Sequence, residues 1–245
     1  MRAKPWLLVS EGVLDVGARV ALDPAEARHA SGALRCRAGD SIMLADGQGS
    51  CAEAELIRCV RSDVVAVIGD IVMTVEPLRG PTVALGILHS KAMDWAVQKA
   101  VEIGVETFIP VLCERSQGSL SHAENRLEHW RRVALQALKQ CRRAWAMRVE
   151  SPLTMEGILK GQLKPGMVAD SEGLTEVSNE DSRGLTLLVG PEGGLTEGER
   201  DRLETAGWST LALGPHVLRA ETALVVGGAL LMRRMHAGVR YTPAP

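Results

Sequence analysis

From Thr82 onward, apolar strand-like runs alternate with helical patterns, and this alternation constrains the fold more than any other feature of the chain. A strand, a helix and a further strand in one layer need crossover connections, which set the strands parallel. Thr82–Leu88 and Thr107–Cys113 read as buried strands, with Gly166–Ala169, Leu185–Val189 and Ser209–Leu213 as further ones. Lys91–Ile103 carries Met93, Val97, Ala100 and Val101 on one helical face. Ser121-His122-Ala123-Glu124 has the form of a capping box opening a long helix to about Arg143. A second box, Thr196-Glu197-Gly198-Glu199, starts a helix ending near Gly207, and a last helix spans about Glu221 to Gly238. The expected class is α/β with a mostly parallel sheet.

Residues 1–73 read differently, as short strands and turns. Asp23-Pro24-Ala25-Glu26 supplies an N-cap, a first-turn proline and an acid for a helix reaching about Leu34. Ser41–Ala45, a turn at Asp46-Gly47-Gln48-Gly49, Cys51–Cys59 and the β-branched Val64–Val72 then suggest a small β-barrel or curled sheet. The proline- and glycine-containing stretch 74–81 reads as a linker, which leaves 82–245 as the second domain. At 245 residues the length itself allows one large domain or two small ones, and either buries a substantial core.

The totals exclude several classes. No apolar run reaches the roughly 18 residues of a membrane span, and Trp6-Leu7-Leu8-Val9 is too short for a signal sequence, so a cytoplasmic location is expected. Five cysteines without a Cys-x-x-Cys pattern predict neither disulfide nor metal. A net charge of −2 requires any nucleic-acid field to be local, and 3% aromatics argue against a base-stacking platform.

In open α/β sheets ligands bind beyond the carboxyl ends of strands. Two such ends are unusual here: Leu187-Leu188-Val189-Gly190-Pro191-Glu192-Gly193-Gly194, and Leu211-Ala212-Leu213-Gly214-Pro215-His216-Val217-Leu218-Arg219. Each sets glycine between an apolar strand and a helix, where the backbone can turn sharply and approach a ligand. The alternative is a pair of tight turns with no ligand. Gly190–Thr196 lacks the lysine of a phosphate loop, and Leu85-Gly86-Ile87-Leu88-His89 lacks a dinucleotide fingerprint. Nucleoside binding through backbone groups stays open.

The pair Gly190-Pro191-Glu192-Gly193-Gly194 and Leu213-Gly214-x-x-Val217-Leu218-Arg219-x-Glu221-Thr222-Ala223 resembles the signature of the RsmE-type ribosomal RNA uridine methyltransferases. Gln98-Lys99-x-x-Glu102-x-Gly104-Val105, Pro110 and Arg115-Ser116 extend the likeness, as do His29, Leu34-Arg35, Gly39-Asp40 and Asp46-Gly47. Three positions depart from it: His216 stands where arginine or lysine is usual, Lys139 where glutamate is common, and Met147 where proline is common.

The resemblance implies a SPOUT methyltransferase domain with a C-terminal trefoil knot, preceded by a PUA-like barrel, working as a homodimer with no metal. It implies S-adenosylmethionine as cofactor, held by Leu188, Gly190, Pro191, Glu192, Gly193, Gly194, Leu213, Gly214, His216, Val217, Leu218, Arg219, Thr222 and Ala223. The implied reaction is methylation of ring N3 of a uridine in small-subunit ribosomal RNA, the partner being that RNA or the subunit. Arg219 is the candidate to stabilise negative charge on the uracil, unless it only pairs with Glu192 or Glu221. Glu192 is the candidate to complement the sulfonium or orient backbone donors. The basic run Arg126, Arg131, Arg132, Lys139, Arg142, Arg143 and Arg148 reads as an RNA surface or a solvated helix face. Arg28, His29, Arg35, Arg37 and Arg115 are further RNA candidates. The apolar Ala223–Met232 stretch, with small residues, motivates the dimer. A non-catalytic RNA-binding protein with a vestigial knot and a knotted ribose methyltransferase are the alternatives.

Overall fold

The computed structural model describes residues 4–10, 12–75, 77–173 and 186–238. Glu76 of the expected linker and Leu185 of an expected strand lie outside them. The chain divides into two compact units. Among the described residues, the first gathers the chain up to Leu78 with Leu138–Ala146, and the second holds Arg79–Ala137 and the chain from Met147.

The first unit is a five-stranded sheet of β1 (Trp6–Leu8), β2 (Arg19–Ala21), β3 (Ser41–Ala45), β4 (Ser50–Val60) and β5 (Asp63–Thr74), in the order β1-β3-β4-β5-β2. All neighbours are antiparallel except β1 with β3. Register shifts at Ala52/Ala54 and Leu56/Arg58 mark bulges, which bend a strand and increase its twist. Helix α1 (Pro24–Arg28) starts as its sequence dictates. The Asp23 carboxylate accepts the Ala25 and Glu26 N–H groups at 2.7 and 2.9 Å. It lasts only five residues before the chain takes a π-helical turn at His29–Ala33. Leu7, Ile42, Leu44, Leu56 and Ile68 form the core.

Residues 138–146 belong to this unit through specific interactions. The Trp145 indole donates to the Val75 carbonyl at 2.7 Å, and its ring fills the space beside Gly49. Lys139 sits buried against Glu26, Nζ to Oε1 2.5 Å, while Glu26 Oε2 accepts the Leu8 N–H at 3.1 Å. Lys139 is therefore no part of a solvated basic face. A desolvated lysine needs its carboxylate partner.

The second unit is a parallel sheet. Its strands are β6 (Thr82–Gly86), β7 (Thr107–Leu112), β8 (Arg148–Val149), β9 (Leu153–Thr154), β10 (Met167–Asp170), β11 (Thr186–Val189) and β12 (Ser209–Ala212). The order is β12-β10-β11-β6-β7-β8, with β9 also on β7. The helices are α2 (Ser90–Glu102), α3 (Leu120–Cys141, of which the part from Leu138 belongs to the first unit), α4 (Met155–Gly157), α5 (Glu197–Thr205) and α6 (Ala220–Met235). Residues alternate between faces along a strand. Ile109, Val111, Val168 and Leu188 pack with Met155, Ile158, Leu195, Leu203 and Trp208 on one face. Helix α6 lies on β11 and β6 and against α2. Its small residues serve this internal packing, since a Cβ at Gly227 would come within 2.5 Å of Leu187 Cδ2.

Two helix limits differ from expectation. Helix α3 begins before Ser121, because the Ser119 hydroxyl accepts the His122 N–H at 3.2 Å. It ends at Cys141, and Arg142 turns left-handed at φ 58°. No described helix is long and apolar enough to cross a membrane.

Candidate active site

The sheet order explains why the two glycine turns meet. Strand β10 lies between β11 and β12, so the chain leaving Val189 and the chain leaving Ala212 emerge on either side of one strand end. Between them lies a cavity of about 480 Å³. Of the expected cofactor residues, Gly190, Pro191, Glu192, Gly193, Gly194, Leu213, Gly214, His216, Val217, Leu218, Arg219 and Ala223 line it. Leu188 and Thr222 do not: Leu188 is fully buried in the core, and Thr222 lies on the exposed side of α6.

The first turn is pinned at successive residues. Pro191 rests on Gly86 at the end of β6, where a Cβ would stand 2.4 Å from the proline nitrogen. Glu192 Oε1 accepts the His89 N–H at 2.9 Å, at the start of α2. Arg115 donates to the Gly193 carbonyl at 2.9 Å. Its aliphatic stem lies so close that a Cβ on Gly193 would meet it at 3.1 to 3.3 Å. Gly194 donates to the Pro191 carbonyl at 2.8 Å and takes a left-handed φ of 69°. Arg200 holds the Leu195 carbonyl at 3.3 Å.

The expected capping box at the head of α5 is present and does more than cap. Glu199 is fully buried, and its two oxygens accept the Thr196 and Glu114 N–H groups, each at 2.9 Å. One carboxylate thus ties the turn after β11 to the loop after β7. Cys113, next to Glu114, is a buried thiol whose pKa burial pushes up to about 12, with the Glu199 charge acting in the same direction. It is no nucleophile at neutral pH.

The second turn is more open. Val217 is 87% exposed, and a Cβ on Gly214 would meet no protein atom. Arg219 is the N-cap of α6, exposed, with no side-chain capping bond. Among the described residues it forms no ion pair with Glu192 or Glu221, although all three line the cavity.

His89, Asp170, Ser171 and Arg200 also line the cavity, beyond the residues expected from the sequence. Asp170 carries one sequence signal: it is a carboxylate at the carboxyl end of an expected strand. Nothing local marks His89, which reaches the cavity from a helix start distant in sequence, or Arg200, which reaches it from the first turn of α5 just after the glycine turn.

The basic candidates separate. Arg115 belongs to the pinned turn just described. Arg126 pairs with Asp94, Arg131 with Glu128 and the Val149 carbonyl, and Arg148 with Glu106. Much of the expected basic face is therefore engaged within the fold. Arg28, His29, Arg35, Arg37, Arg142 and Arg143 belong to the first unit. Burial, reinforced by the Lys139 charge, holds the His29 pKa below its ordinary value, so the ring is neutral at pH 7.

Comparison with known proteins follows the same outline. Residues 76–232 match the model of an RNA methyltransferase domain family. The chain is 32% identical over 145 residues to the ribosomal RNA small subunit methyltransferase E of Aquifex aeolicus, covering 58% of this chain and 63% of that protein. It is 30% identical over 215 residues to the Bacillus subtilis protein of the same name, covering 81% and 83%. A crystal structure of ribosomal RNA small subunit methyltransferase E from Neisseria gonorrhoeae, bound to S-adenosyl methionine, superposes with a TM-score of 0.83 at 28% identity, over 94% of this chain and 97% of that one.

Proposed function

The chain belongs to the RNA methyltransferase domain family, and from that premise we propose that it methylates ring N3 of a uridine in small-subunit ribosomal RNA, using S-adenosylmethionine. The observation that carries the reading is the cavity between the two glycine turns, with Arg219 exposed at its edge. The residues present fit a nucleoside cofactor. Backbone from both turns faces the cavity, and Gly214 leaves its side-chain position open.

When bound, S-adenosylmethionine supplies a methyl group on a sulfonium, so transfer is a direct displacement that needs no metal. The task left to the protein is orientation and charge. Uracil N3 must give up its proton to solvent, and the resulting negative charge spreads onto the ring carbonyl oxygens until the methyl group is accepted. The Arg219 guanidinium supplies a fixed positive charge that stabilises the anion. Glu192 keeps its turn on the N-terminus of α2 through the His89 N–H, which makes it an orienting group. Arg115 holds the Gly193 carbonyl from the other side, acting on cofactor geometry more than on RNA.

RNA affinity comes from the first unit, read as a PUA-like barrel, through Arg28, Arg35, Arg37, Arg142 and Arg143. The positive-φ non-glycine residues among those described are Arg35, Arg61 and Arg142, all in this unit. Each holds an arginine where glycine would sit with less strain. His29 is neutral at pH 7 and takes no part as a cation.

The C-terminal segment is read as the trefoil knot of the SPOUT class. Helix α6 returns from edge strand β12, past β10, to lie on β11 and β6. The working form is a cytoplasmic homodimer. Val226 and Leu230 leave an exposed apolar strip on α6, with Trp95 exposed on the adjoining α2.

The test is methyl transfer from labelled cofactor to small-subunit RNA, naked and assembled, followed by digestion to nucleosides. Label in 3-methyluridine is expected. Label in a ribose-methylated nucleoside, or no transfer to either substrate, overturns the reading.

A further inference from the structure

We propose that Asp170 is the hydrogen-bond acceptor for a ribose hydroxyl of the bound cofactor, an inference that rests on the cofactor reading above. Asp170 closes β10, the strand between the two glycine turns. Its backbone is in register with Ala212 of β12, and Ala169 before it with Val189 of β11. Whatever spans the two turns crosses directly over this residue. In S-adenosylmethionine the ribose is the middle of the molecule, with adenine to one side and the methionyl chain to the other.

The two carboxylate oxygens have different duties. Oδ1 accepts the Ser171 N–H at 2.6 Å, the Ser171 hydroxyl at 3.2 Å and the Glu172 N–H at 3.4 Å, which fixes the side chain. Among the described residues the group facing Oδ2 is Arg200, at 3.7 Å, beyond hydrogen-bond range. The side chain is 17% exposed and lines the cavity. A carboxylate oxygen that faces the cavity and receives no hydrogen bond from the described residues is free to accept one from the ligand.

Arg200 decides what kind of donor. It already balances the Asp170 charge, so a second cation there, such as the methionyl ammonium, would be repelled by the guanidinium. A neutral hydroxyl meets no such repulsion, and an ionised carboxylate only accepts hydrogen bonds, which suits a diol and rejects a phosphate.

The experiment is calorimetric titration of the intact protein with S-adenosylhomocysteine, its 2′-deoxy and 3′-deoxy analogues, and 5′-methylthioadenosine. The wild type is expected to bind one deoxy analogue about 10- to 100-fold more weakly than S-adenosylhomocysteine, the range for a hydrogen bond to a charged group. Asp170→Ala should bind S-adenosylhomocysteine more weakly by a similar factor and no longer distinguish the deoxy analogue. Asp170→Asn, which keeps the shape, should retain only a few-fold discrimination, and it carries the test if the alanine variant melts early. Discrimination that persists in both variants overturns the assignment. So does a variant that erases the difference between S-adenosylhomocysteine and 5′-methylthioadenosine instead, which would name the methionyl end as the partner. A wild-type protein that binds none of these ligands overturns the cofactor reading itself.

Discussion

Replacing Arg115 with alanine removes the donor that holds the Gly193 carbonyl at 2.9 Å and the stem that packs on that glycine. A hydrogen bond from a charged donor contributes about 1.5–3 kcal/mol. Arg115 is exposed, so solvent replaces part of it, and about 1–2 kcal/mol is the reasonable range here. The turn is also held by Glu192, Arg200 and Glu199, so the fold survives and the loss falls on turn geometry. Cofactor affinity should therefore drop about 5- to 30-fold. Titration with S-adenosylmethionine reads this, with RNA binding by filter or anisotropy assay as the counterpart. Arg115→Lys should recover part of the affinity, because one donor survives although the fork does not. Unchanged cofactor affinity together with weakened RNA binding would return Arg115 to the RNA surface and leave the turn held without it.

Other perturbations follow from the same geometry. Gly214→Val adds a branched side chain to a cavity-lining glycine at φ 157°, so it should abolish cofactor binding, with a lowered thermal midpoint from local backbone strain but a cooperative unfolding transition still present. Lys139→Met strands the buried Glu26 carboxylate and should lower stability by about 3–5 kcal/mol, whereas Glu26→Gln with Lys139→Met should recover much of it in urea unfolding. His29 has a folded pKa below its unfolded value of 6.5, so its contribution to stability is full above that pH and is lost as pH falls through the folded value. The stability curve of His29→Asn should be flatter on the acid side. Arg142→Glu with Arg143→Glu should weaken RNA binding and reduce its salt slope by about 0.9 for each phosphate no longer neutralised, with cofactor affinity unchanged.

The features legible in the sequence are local ones. Asp23 before Pro24, and Thr196 before Glu199, announce helix starts that the structure contains, because both caps depend on neighbours three residues apart or fewer. The two glycine turns are legible for the same reason. Their meeting is not, since it depends on β10 lying between β11 and β12, a matter of sheet order. Only that order brings Asp170, His89 and Arg200 to the cavity, so no local pattern singles them out as a group. Gly193 lines the cavity, as its motif suggests, and its missing side chain also makes room for the Arg115 stem, a contact that no local pattern announces. The basic run from Arg126 to Arg148 has the composition of a surface, and charge counting cannot reveal that Asp94, Glu128, Glu106 and Glu26 answer most of it.

The cavity between the glycine turns is where methyl transfer is placed, with Arg219 acting on the charge formed on the base. Single-turnover methyl transfer, with small-subunit RNA and S-adenosylmethionine both saturating, tests it most directly. Arg219→Ala should keep its cofactor affinity yet lose on the order of 10²-fold or more in rate, as when one preorganised donor is removed. Arg219→Lys should regain part of that loss. A rate for Arg219→Ala within a few-fold of wild type would contradict the account.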